Sequence, residues 1–199
     1  MRGLLIALEG LDQSGKQTQA EMLRDSLRAR GRRVRLLSFP DYGTSIGEEI
    51  ARALQGERDY EPDVMQLLYV ANRYERREEI ERWLDGGLIL VCDRYVASSV
   101  AYGEAHGLDA AWLLDIQKYL PPPDLTIVLD IAPESSAKRK VADRDKYERD
   151  LAMLNRVRSS YLRQAGSDWV VIDGERPRET VADDVAAAIE PRVTAAFEA

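Results

Sequence analysis

Short apolar runs separated by amphipathic stretches form the basic pattern of this chain. Five runs are typical of buried strands, and their sequences are RGLLIALE, RRVRLLSF, LILVCD, DLTIVLD and DWVVID. The stretches between several of them carry apolar residues at helical spacing. Consecutive buried strands joined by helices need crossover connections. We therefore expect an α/β fold with a five-stranded parallel sheet and helices on both faces.

The helical stretches have recognisable ends. Periodicity through residues 19–30 stops at Gly31, as expected of a glycine just past a helix end. The stretch 62–84 predicts one long helix with Pro62 near its first turn. We find no repeat, linker or low-complexity segment. A length of 199 residues suits a single domain over residues 1–199.

Composition and charge narrow the class of protein. The chain is 45% hydrophobic and 32% charged, an ordinary balance for a soluble protein, and its formal net charge is −7. That charge repels nucleic acid and anionic lipid, so we expect neither a nucleic-acid nor a membrane partner. Cys92 is the sole cysteine, which excludes an internal disulfide and suits a cytoplasmic location. The apolar run LLIAL is too short for a signal peptide or a membrane span.

The sequence EGLDQSGKQTQ, residues 9–19, predicts a phosphate-binding loop. It follows a buried strand and precedes a helical pattern, with Gly10 and Gly15 at the required spacing and Lys16 next. Glycines allow backbone N–H groups to converge on an anion, the helix N-terminus favours negative charge, and lysine supplies a cation. The alternative is a glycine-rich turn with a surface lysine, but the flanking elements favour the phosphate site.

A second anion site is predicted at CDRY, after the third strand. Asp93 and Arg94 follow the carboxyl end of a parallel strand, where ligands collect. An aspartate there can hold Mg²⁺ through water, and an arginine can bind a phosphate with two N–H groups. A surface ion pair is the alternative, and the position beside the first loop argues against it.

Two helical patterns supply candidates for a nucleoside pocket. Tyr95, Ser98, Ser99 and Tyr102 have offsets of three, four and seven, which predicts one polar face. On the long helix, Tyr69 and Arg73 are four residues apart and therefore adjacent. An aromatic ring beside an arginine suits a planar base and an acceptor or phosphate, although alone this pair is more typical of a half-buried tyrosine with a solvated arginine.

Together these residues resemble thymidylate kinases. EGLDQSGKQTQ, FPDYGTSIG, YVANRYE, CDRYVASSVAY, LPPPDLTIVLD and KRKVADRDKYE occur in the family's order and spacing, over about the first 165 residues. The resemblance implies a three-layer sandwich of the P-loop NTPase type with a short lid at about residues 138–148. It also implies phosphoryl transfer from ATP to dTMP with Mg²⁺, and a homodimer.

The resemblance assigns roles to individual residues. Lys16 and the loop backbone hold ATP phosphates, Arg94 binds the dTMP phosphate, and Asp93 organises Mg²⁺, with Asp12 as a second candidate. Tyr69 stacks on thymine. The implied ATP-binding residues are Gly10, Leu11, Asp12, Gln13, Ser14, Gly15, Lys16, Gln17 and Thr18.

The acceptor site follows from the same resemblance. Arg73 reaches the base or the phosphate, and Tyr102 crowds the ribose 2′ position, which favours deoxyribose. Phe39 and Pro40 line the pocket near the thymine methyl. The implied substrate-binding residues are Phe39, Pro40, Tyr69, Arg73, Arg94, Ser98, Ser99 and Tyr102.

This chain departs from the family pattern inside the phosphate loop. Many members carry an arginine where this chain has Gln13, and others place the cation in the lid, where Arg139, Lys140 and Arg144 are available. We therefore expect Arg139 and Arg144 to supply catalytic charge on lid closure. Gln17 replaces the usual hydroxyl after the lysine, which weakens direct Mg²⁺ ligation but not the phosphate cradle.

A further departure follows FP, where Asp41 and Tyr42 replace an arginine that helps hold the acceptor phosphate in some members. Arg73 and Arg94 must then do more. Two alternatives stay open, a kinase for another nucleoside monophosphate such as dUMP or CMP, and a nucleotide-binding homologue with weakened catalysis. A GTPase is disfavoured because the chain has no NKxD sequence.

Overall fold

The computed structural model describes residues 2–139 and 150–197. Within them the apolar runs form five strands, and all five predicted strands are confirmed. Each begins and ends within two residues of its apolar run. The strands are β1 (Leu4–Glu9), β2 (Val34–Ser38), β3 (Ile89–Asp93), β4 (Leu125–Asp130) and β5 (Trp169–Asp173).

The strands form one parallel sheet in the order β2-β3-β1-β4-β5. β1 therefore lies at the centre, paired with β3 on one side and β4 on the other. Leu8 pairs with Asp93 in this register. The carboxyl ends of β1 and β3 thus meet at one edge, which brings both predicted anion sites together, as expected of a doubly wound sheet.

Helices connect the strands and cover both faces of the sheet. In the described residues they are α1 (Lys16–Ala29), α2 (Ser45–Leu54), α3 (Pro62–Glu75), α4 (Arg77–Asp85), α5 (Val96–Ala105), α6 (Ala110–Asp115), α7 (Pro133–Arg139), α8 (Leu151–Gln164) and α9 (Arg178–Phe197). None of these helices is both long enough and apolar enough to cross a membrane.

Alternate residues of the central strand pack against different helix layers, as the pleat of a strand requires. Leu4, Ile6 and Leu8 face a cluster that includes residues of α1 and α9. Leu5 and Ala7 face the opposite layer, with residues of α4. α5 and α8 form a further cluster against β4. The expected three-layer α/β sandwich is confirmed.

The stretch predicted as one helix over 62–84 is two helices in the structure. α3 ends at Glu75 and α4 begins at Arg77. At the break, the N–H of Arg76 bonds the carbonyl of Arg73 in a tighter turn, and the Arg76 guanidinium pairs with Asp41. Hydrophobic spacing does not reveal such a break, because the contact with Asp41 lies far away along the chain.

Candidate active site

The turn between β1 and α1 has the backbone of a phosphate-binding loop. Gly10, Gln13 and Gly15 have φ angles of 136°, 59° and 94°, values at which glycine is favoured. A Cβ atom on Gly10 would lie 2.5 Å from the carbonyl oxygen of Leu129. α1 starts at Lys16, so its unpaired N–H groups open onto this turn. The turn is therefore built to receive an anion.

The side chain of Lys16 lies inside the loop, only 5% exposed. Its Nζ donates to the carbonyl oxygen of Leu11 at 2.7 Å and to Ser14 Oγ at 3.4 Å. Burial, and after it the nearby charge of Arg94, lower the pKa of Lys16 to about 8. A cation desolvated in this way is stabilised by an anion that enters the loop.

Arg94 reaches the same loop from the end of β3. Its Nη2 is 2.5 Å from Asp12 Oδ1, and the Tyr102 hydroxyl donates to Asp12 Oδ2 at 3.2 Å. Burial raises the pKa of Asp12, but the charges of Arg94 and Lys16 outweigh burial and lower that pKa to about 2. The Asp12 carboxylate is therefore ionised at every physiological pH and holds Arg94 at the mouth of the loop.

A cleft of about 730 Å³, partly open to solvent, begins at Arg94 and runs between α3 and α5. Asp12 also lines it, so the cleft and the phosphate loop share a wall. The structure places all eight predicted substrate-binding residues in its lining, and these are Phe39, Pro40, Tyr69, Arg73, Arg94, Ser98, Ser99 and Tyr102.

Arg73 is the most buried cation of this cleft, with 3% of its surface exposed. Its Nη1 donates to Ser99 Oγ at 2.7 Å and to Gln117 Oε1 at 3.2 Å. Its Nε is buried without a hydrogen-bond partner among the described residues. Burial lowers the pKa of Arg73 below its ordinary value. An unsatisfied donor of this kind favours a ligand that brings an acceptor.

A family model for thymidylate kinase matches residues 8–185. The thymidylate kinase of Arabidopsis thaliana is 38% identical to this chain over 180 residues, which cover 90% of this chain and 68% of that protein. The chain belongs to the thymidylate kinase family. The family suggested by the sequence motifs is thereby confirmed.

Other members of the thymidylate kinase family match almost end to end. The human thymidylate kinase is 34% identical over 200 residues, which cover 99% of this chain and 94% of the relative. The solved structure of thymidylate kinase from Candida albicans has a TM-score of 0.86 and 30% identity, and the match covers 96% of this chain and 92% of that one. Sequence and fold therefore identify the same family.

Asp93 is the residue best placed to serve a metal in this thymidylate kinase family member. Its Oδ1 is buried and has no hydrogen-bond partner among the described residues. Both carboxylate oxygens of Asp12 are engaged by Arg94 and Tyr102. The described part of the chain holds no group of three or more His, Cys, Asp or Glu that could bind a metal ion. An ion held mainly by water and substrate phosphates, as Mg²⁺ usually is, fits this arrangement.

The side chains after the loop lysine face solvent. Gln17 is exposed and its Nε2 donates to Glu21 Oε1 at 3.2 Å, and Thr18 is exposed as well. Neither side chain enters the loop. Gln17 and Thr18 are therefore poor candidates for direct metal ligands, in line with the doubt raised by the sequence.

Of the predicted lid cations, only Arg139 lies in the described residues. It ends α7 and donates to the carbonyl oxygens of Gln13 at 3.2 Å and Gly174 at 3.1 Å. Lys140 and Arg144 lie outside the described residues. Arg139 thus rests against the outer side of the phosphate loop, and its catalytic role stays a prediction.

One of the four hydroxyl-bearing residues predicted to share a face lies elsewhere. Tyr95 is fully buried, packs its ring 5.9 Å from that of Phe39, and donates its hydroxyl to the carbonyl of Pro121. It precedes α5 with φ −153° and ψ −137°, so helical offsets do not apply to it. Ser98, by contrast, lines the cleft as predicted.

Three residues of the site escaped the sequence analysis. Gln117 supports Arg73, Ser136 donates to the carbonyl of Asp12 at 2.7 Å, and Glu9 lies fully buried behind Arg94. Only Glu9 carried a signal, because a carboxylate at the end of a buried strand needs a partner. His106 is the C-cap residue of α5 and also lines the cleft.

Proposed function

We propose that this protein transfers the γ-phosphoryl group of ATP to dTMP, which yields ADP and dTDP for dTTP synthesis. The observation that carries this proposal is the meeting of Asp12 and Arg94, 2.5 Å apart, where the phosphate loop and the nucleoside cleft share a wall. An acceptor phosphate held by Arg94 would face a donor phosphate held by the loop. Phosphoryl transfer depends mainly on such positioning.

The acceptor brings its own nucleophile. The second pKa of a phosphate monoester is about 6, so a dTMP oxygen is already anionic near pH 7 and needs no general base. Catalysis then consists of positioning and of screening negative charge. A site made of arginines, a lysine and aspartates, with His106 the sole histidine of the chain, suits this chemistry.

On the donor side, the N–H groups of residues 10–18 and the ammonium of Lys16 would hold the β- and γ-phosphates. Arg139 and Arg144 would add charge from a lid at about residues 138–148 and exclude water on closure. Lys138 and Arg139 belong to α7, whereas residues 140–149 lie outside the described residues.

On the acceptor side, Arg94 would bind the dTMP phosphate with its guanidinium N–H groups. Tyr69 would stack on thymine, and Arg73 with Ser99 would read the base edge. Tyr102, whose hydroxyl is fixed by Asp12, would crowd a ribose 2′-hydroxyl. A substrate that leaves a polar group of the site unpaired is rejected more strongly than a substrate that only fits the shape of the cleft less well.

Mg²⁺ completes the proposal, and Asp93, whose buried Oδ1 has no hydrogen-bond partner within the described part of the chain, would hold the ion through water. When bound, the ion neutralises charge on the phosphate oxygens.

We further propose that the protein is a homodimer and acts in the cytoplasm. The lone, buried Cys92 is compatible with a reducing compartment. Size-exclusion chromatography coupled to light scattering measures the molar mass in solution and so tests the homodimer.

A coupled assay of ADP release tests the proposed reaction. With ATP and Mg²⁺, we expect dTMP to give the highest kcat/KM among dTMP, dUMP, CMP and UMP. Lys16→Ala should abolish turnover without changing the melting temperature by more than a few degrees, because its charge serves phosphates and not packing. Faster turnover of CMP or UMP would assign another kinase, and absence of ADP release with every acceptor would indicate a nucleotide-binding homologue without turnover.

A further inference from the structure

A fully buried carboxylate lies directly behind the arginine of the acceptor site. Glu9, the last residue of β1, is 0% exposed. Its Oε1 accepts from the backbone N–H of Tyr95 at 2.8 Å. Its Oε2 accepts from Ser98 Oγ at 2.6 Å and from the Tyr161 hydroxyl at 3.1 Å. A buried carboxylate is tolerated when it is hydrogen-bonded in this way, and this one accepts from three donors.

The same two hydroxyls also accept from Arg94. Arg94 Nη1 lies 3.2 Å from Ser98 Oγ and 3.3 Å from the Tyr161 hydroxyl oxygen. A guanidinium only donates, so both hydroxyl oxygens accept from Arg94 and their protons point away from it. Glu9 Oε2 and the two hydroxyl oxygens, which are 2.9 Å apart, form one compact hydrogen-bonded group on the other side, so Glu9 is linked to Arg94 through these hydroxyls. Replacing the carboxylate with a donor would disturb this direction of bonding.

Glu9 fixes the backbone of Arg94 as well. Arg94 has a φ of 64°, a left-handed conformation that is strained in a residue with a Cβ atom. The strained residue is held on both sides, since its own N–H donates to Leu8 and the next N–H, that of Tyr95, donates to Glu9. One carboxylate thus restrains both the main chain and the side chain of Arg94.

The two terminal nitrogens of the Arg94 guanidinium have different surroundings. Nη1 faces the carbonyl of Gly10, the Tyr161 hydroxyl and Ser98 Oγ, whereas Nη2 faces Asp12 and the Tyr102 hydroxyl. Asp12, Ser98 and Tyr102 line the cleft, but Glu9 and Tyr161 do not. The contacts of Arg94 with Gly10 and Tyr161 can therefore persist while Nη2 changes partner from Asp12 to a ligand.

We propose that Glu9 is a positioning residue for Arg94, acting through Ser98 and Tyr161, and that it preorganises the guanidinium for the acceptor phosphate. Tyr161 belongs to α8, so this helix takes part in acceptor binding without touching the acceptor. The inference rests on the proposed function, in which Arg94 binds the phosphate of dTMP. It predicts that loss of Glu9 harms recognition of the phosphate and spares recognition of the nucleoside.

The test compares dTMP with thymidine, which lacks the phosphate, as ligands in calorimetric titrations. For Glu9→Gln, which keeps the shape but replaces an acceptor by a donor, we expect the Kd of dTMP to rise at least tenfold. The Kd of thymidine should change less than twofold. Tyr161→Phe removes one acceptor of Arg94 and should raise the Kd of dTMP about threefold, again without affecting thymidine.

Tyr74→Phe is the matched control. The Tyr74 hydroxyl donates to the carbonyl of Ile116 and has no contact with Arg94, so this variant should leave both dissociation constants unchanged. Arg94→Met removes the guanidinium, so its Kd for dTMP gives the value expected when phosphate recognition is lost completely. If Glu9→Gln fails to fold by circular dichroism, Tyr161→Phe decides the question alone.

Two outcomes overturn the inference. An equal loss for dTMP and thymidine would show a general structural role, and unchanged binding in both variants would show no role. In either case a wild-type protein that prefers dTMP to thymidine keeps the proposed function intact. A wild-type protein that binds thymidine as tightly as dTMP would overturn the proposed function and this inference together.

Discussion

The charged residues of the site determine one another's ionisation, and this coupling is a property of individual residues. Lys16 is buried beside Arg94, and the two cations are balanced by Asp12. Burial, with the charge of Arg94, lowers the pKa of Lys16 to about 8, and the charges of Arg94 and Lys16 lower that of Asp12 to about 2 against its burial. The lysine is the group whose charge changes near physiological pH.

Binding of ATP should therefore depend on the pH above neutrality. Phosphates bind the protonated form of Lys16, whose pKa is about 8 in the free protein. From pH 8 upward, ATP affinity should fall by up to tenfold per unit, and binding should take up a proton. Calorimetry at pH 8.5 in two buffers of different ionisation enthalpy measures that uptake, which Lys16→Met should abolish. Affinity that is constant from pH 7 to pH 9.5 would contradict the prediction.

The same shift has a consequence for stability. Unfolding restores the ordinary pKa of Lys16, near 10.5, so between about pH 8 and pH 10.5 the unfolded chain holds a proton that the folded chain has released. The contribution of Lys16 to the free energy of unfolding therefore increases as the pH rises through that window. Denaturant melts at several pH values should show that this increase is absent from Lys16→Met.

Tyr102 should set the preference for deoxyribose. Its ring lines the cleft and its hydroxyl is fixed between Asp12 and Arg94. We expect Tyr102→Ala to narrow the ratio of kcat/KM between dUMP and UMP by tenfold or more, because the crowding at the 2′ position is removed. Tyr102→Phe keeps the ring and should narrow the ratio less. A ratio that does not change in Tyr102→Ala would assign sugar selection to another residue.

Residue identities in the site were predictable where motif spacing fixes them, and not elsewhere. Lys16 and Arg94 each follow a recognisable strand end, so the sequence places them correctly. The partners of Ser98, Arg73 and Asp12 are 89, 44 and 124 residues away along the chain. No local pattern connects residues at such separations, and only the folded sheet brings them together.

At the scale of elements, Asn72 of α3 makes three hydrogen bonds to the loop after β2, which Glu75 and Arg76 also contact. Asn72 is fully buried, accepts from the N–H of Asp41 at 2.7 Å, and donates to the Asp41 carbonyl at 3.2 Å and to Thr44 Oγ1 at 2.8 Å. Residues 39 and 40, which line the cleft, directly precede this attachment. The position of one cleft wall is thus fixed by a polar contact between elements.

Removing the contact of Asn72 with Asp41 should make the cleft wall formed by Phe39 and Pro40 less rigid. Asn72→Ala leaves the N–H of Asp41 without its partner, so the free energy of unfolding should fall by about 1–3 kcal/mol. The KM for dTMP should rise several-fold while the KM for ATP stays within twofold. Asn155→Ala, which removes an exposed contact within α8, is the control and should change neither. Equal effects on both substrates would show that the loss is global.

At the scale of the whole molecule, the strand order brings the phosphate loop and the cleft to the same edge of the sheet. The fold was predictable because the five apolar runs and their glycine and proline boundaries agree with one another. The break at Arg76 and the position of Tyr95 were not, since tertiary contacts with Asp41 and Pro121 decide them. Local sequence patterns carry no information on such distant contacts.

α7 connects the sheet to the predicted lid and contacts the phosphate loop at two points. Ser136 donates to the carbonyl of Asp12, and Arg139 to that of Gln13. Arg139 also lies 3.6 Å from Glu175. Two roles are therefore distinguishable for Arg139, support of the loop in the free protein and charge delivery in the transition state.

We predict the second role and expect Arg139→Ala to lower kcat at least tenfold while the KM for ATP changes less than threefold. An interaction made only in the transition state has this signature, whereas support of the loop would act on both substrate-bound states. Ser136→Ala is the matched control, because it removes loop support without removing charge, and it should change kcat only two- to threefold. Steady-state kinetics of the two variants, with Arg144→Ala beside them, separates the roles. A rise in the KM for ATP with unchanged kcat in Arg139→Ala would assign Arg139 to the loop and leave Arg144 as the catalytic cation, because the chemistry still requires a charge that Gln13 does not supply.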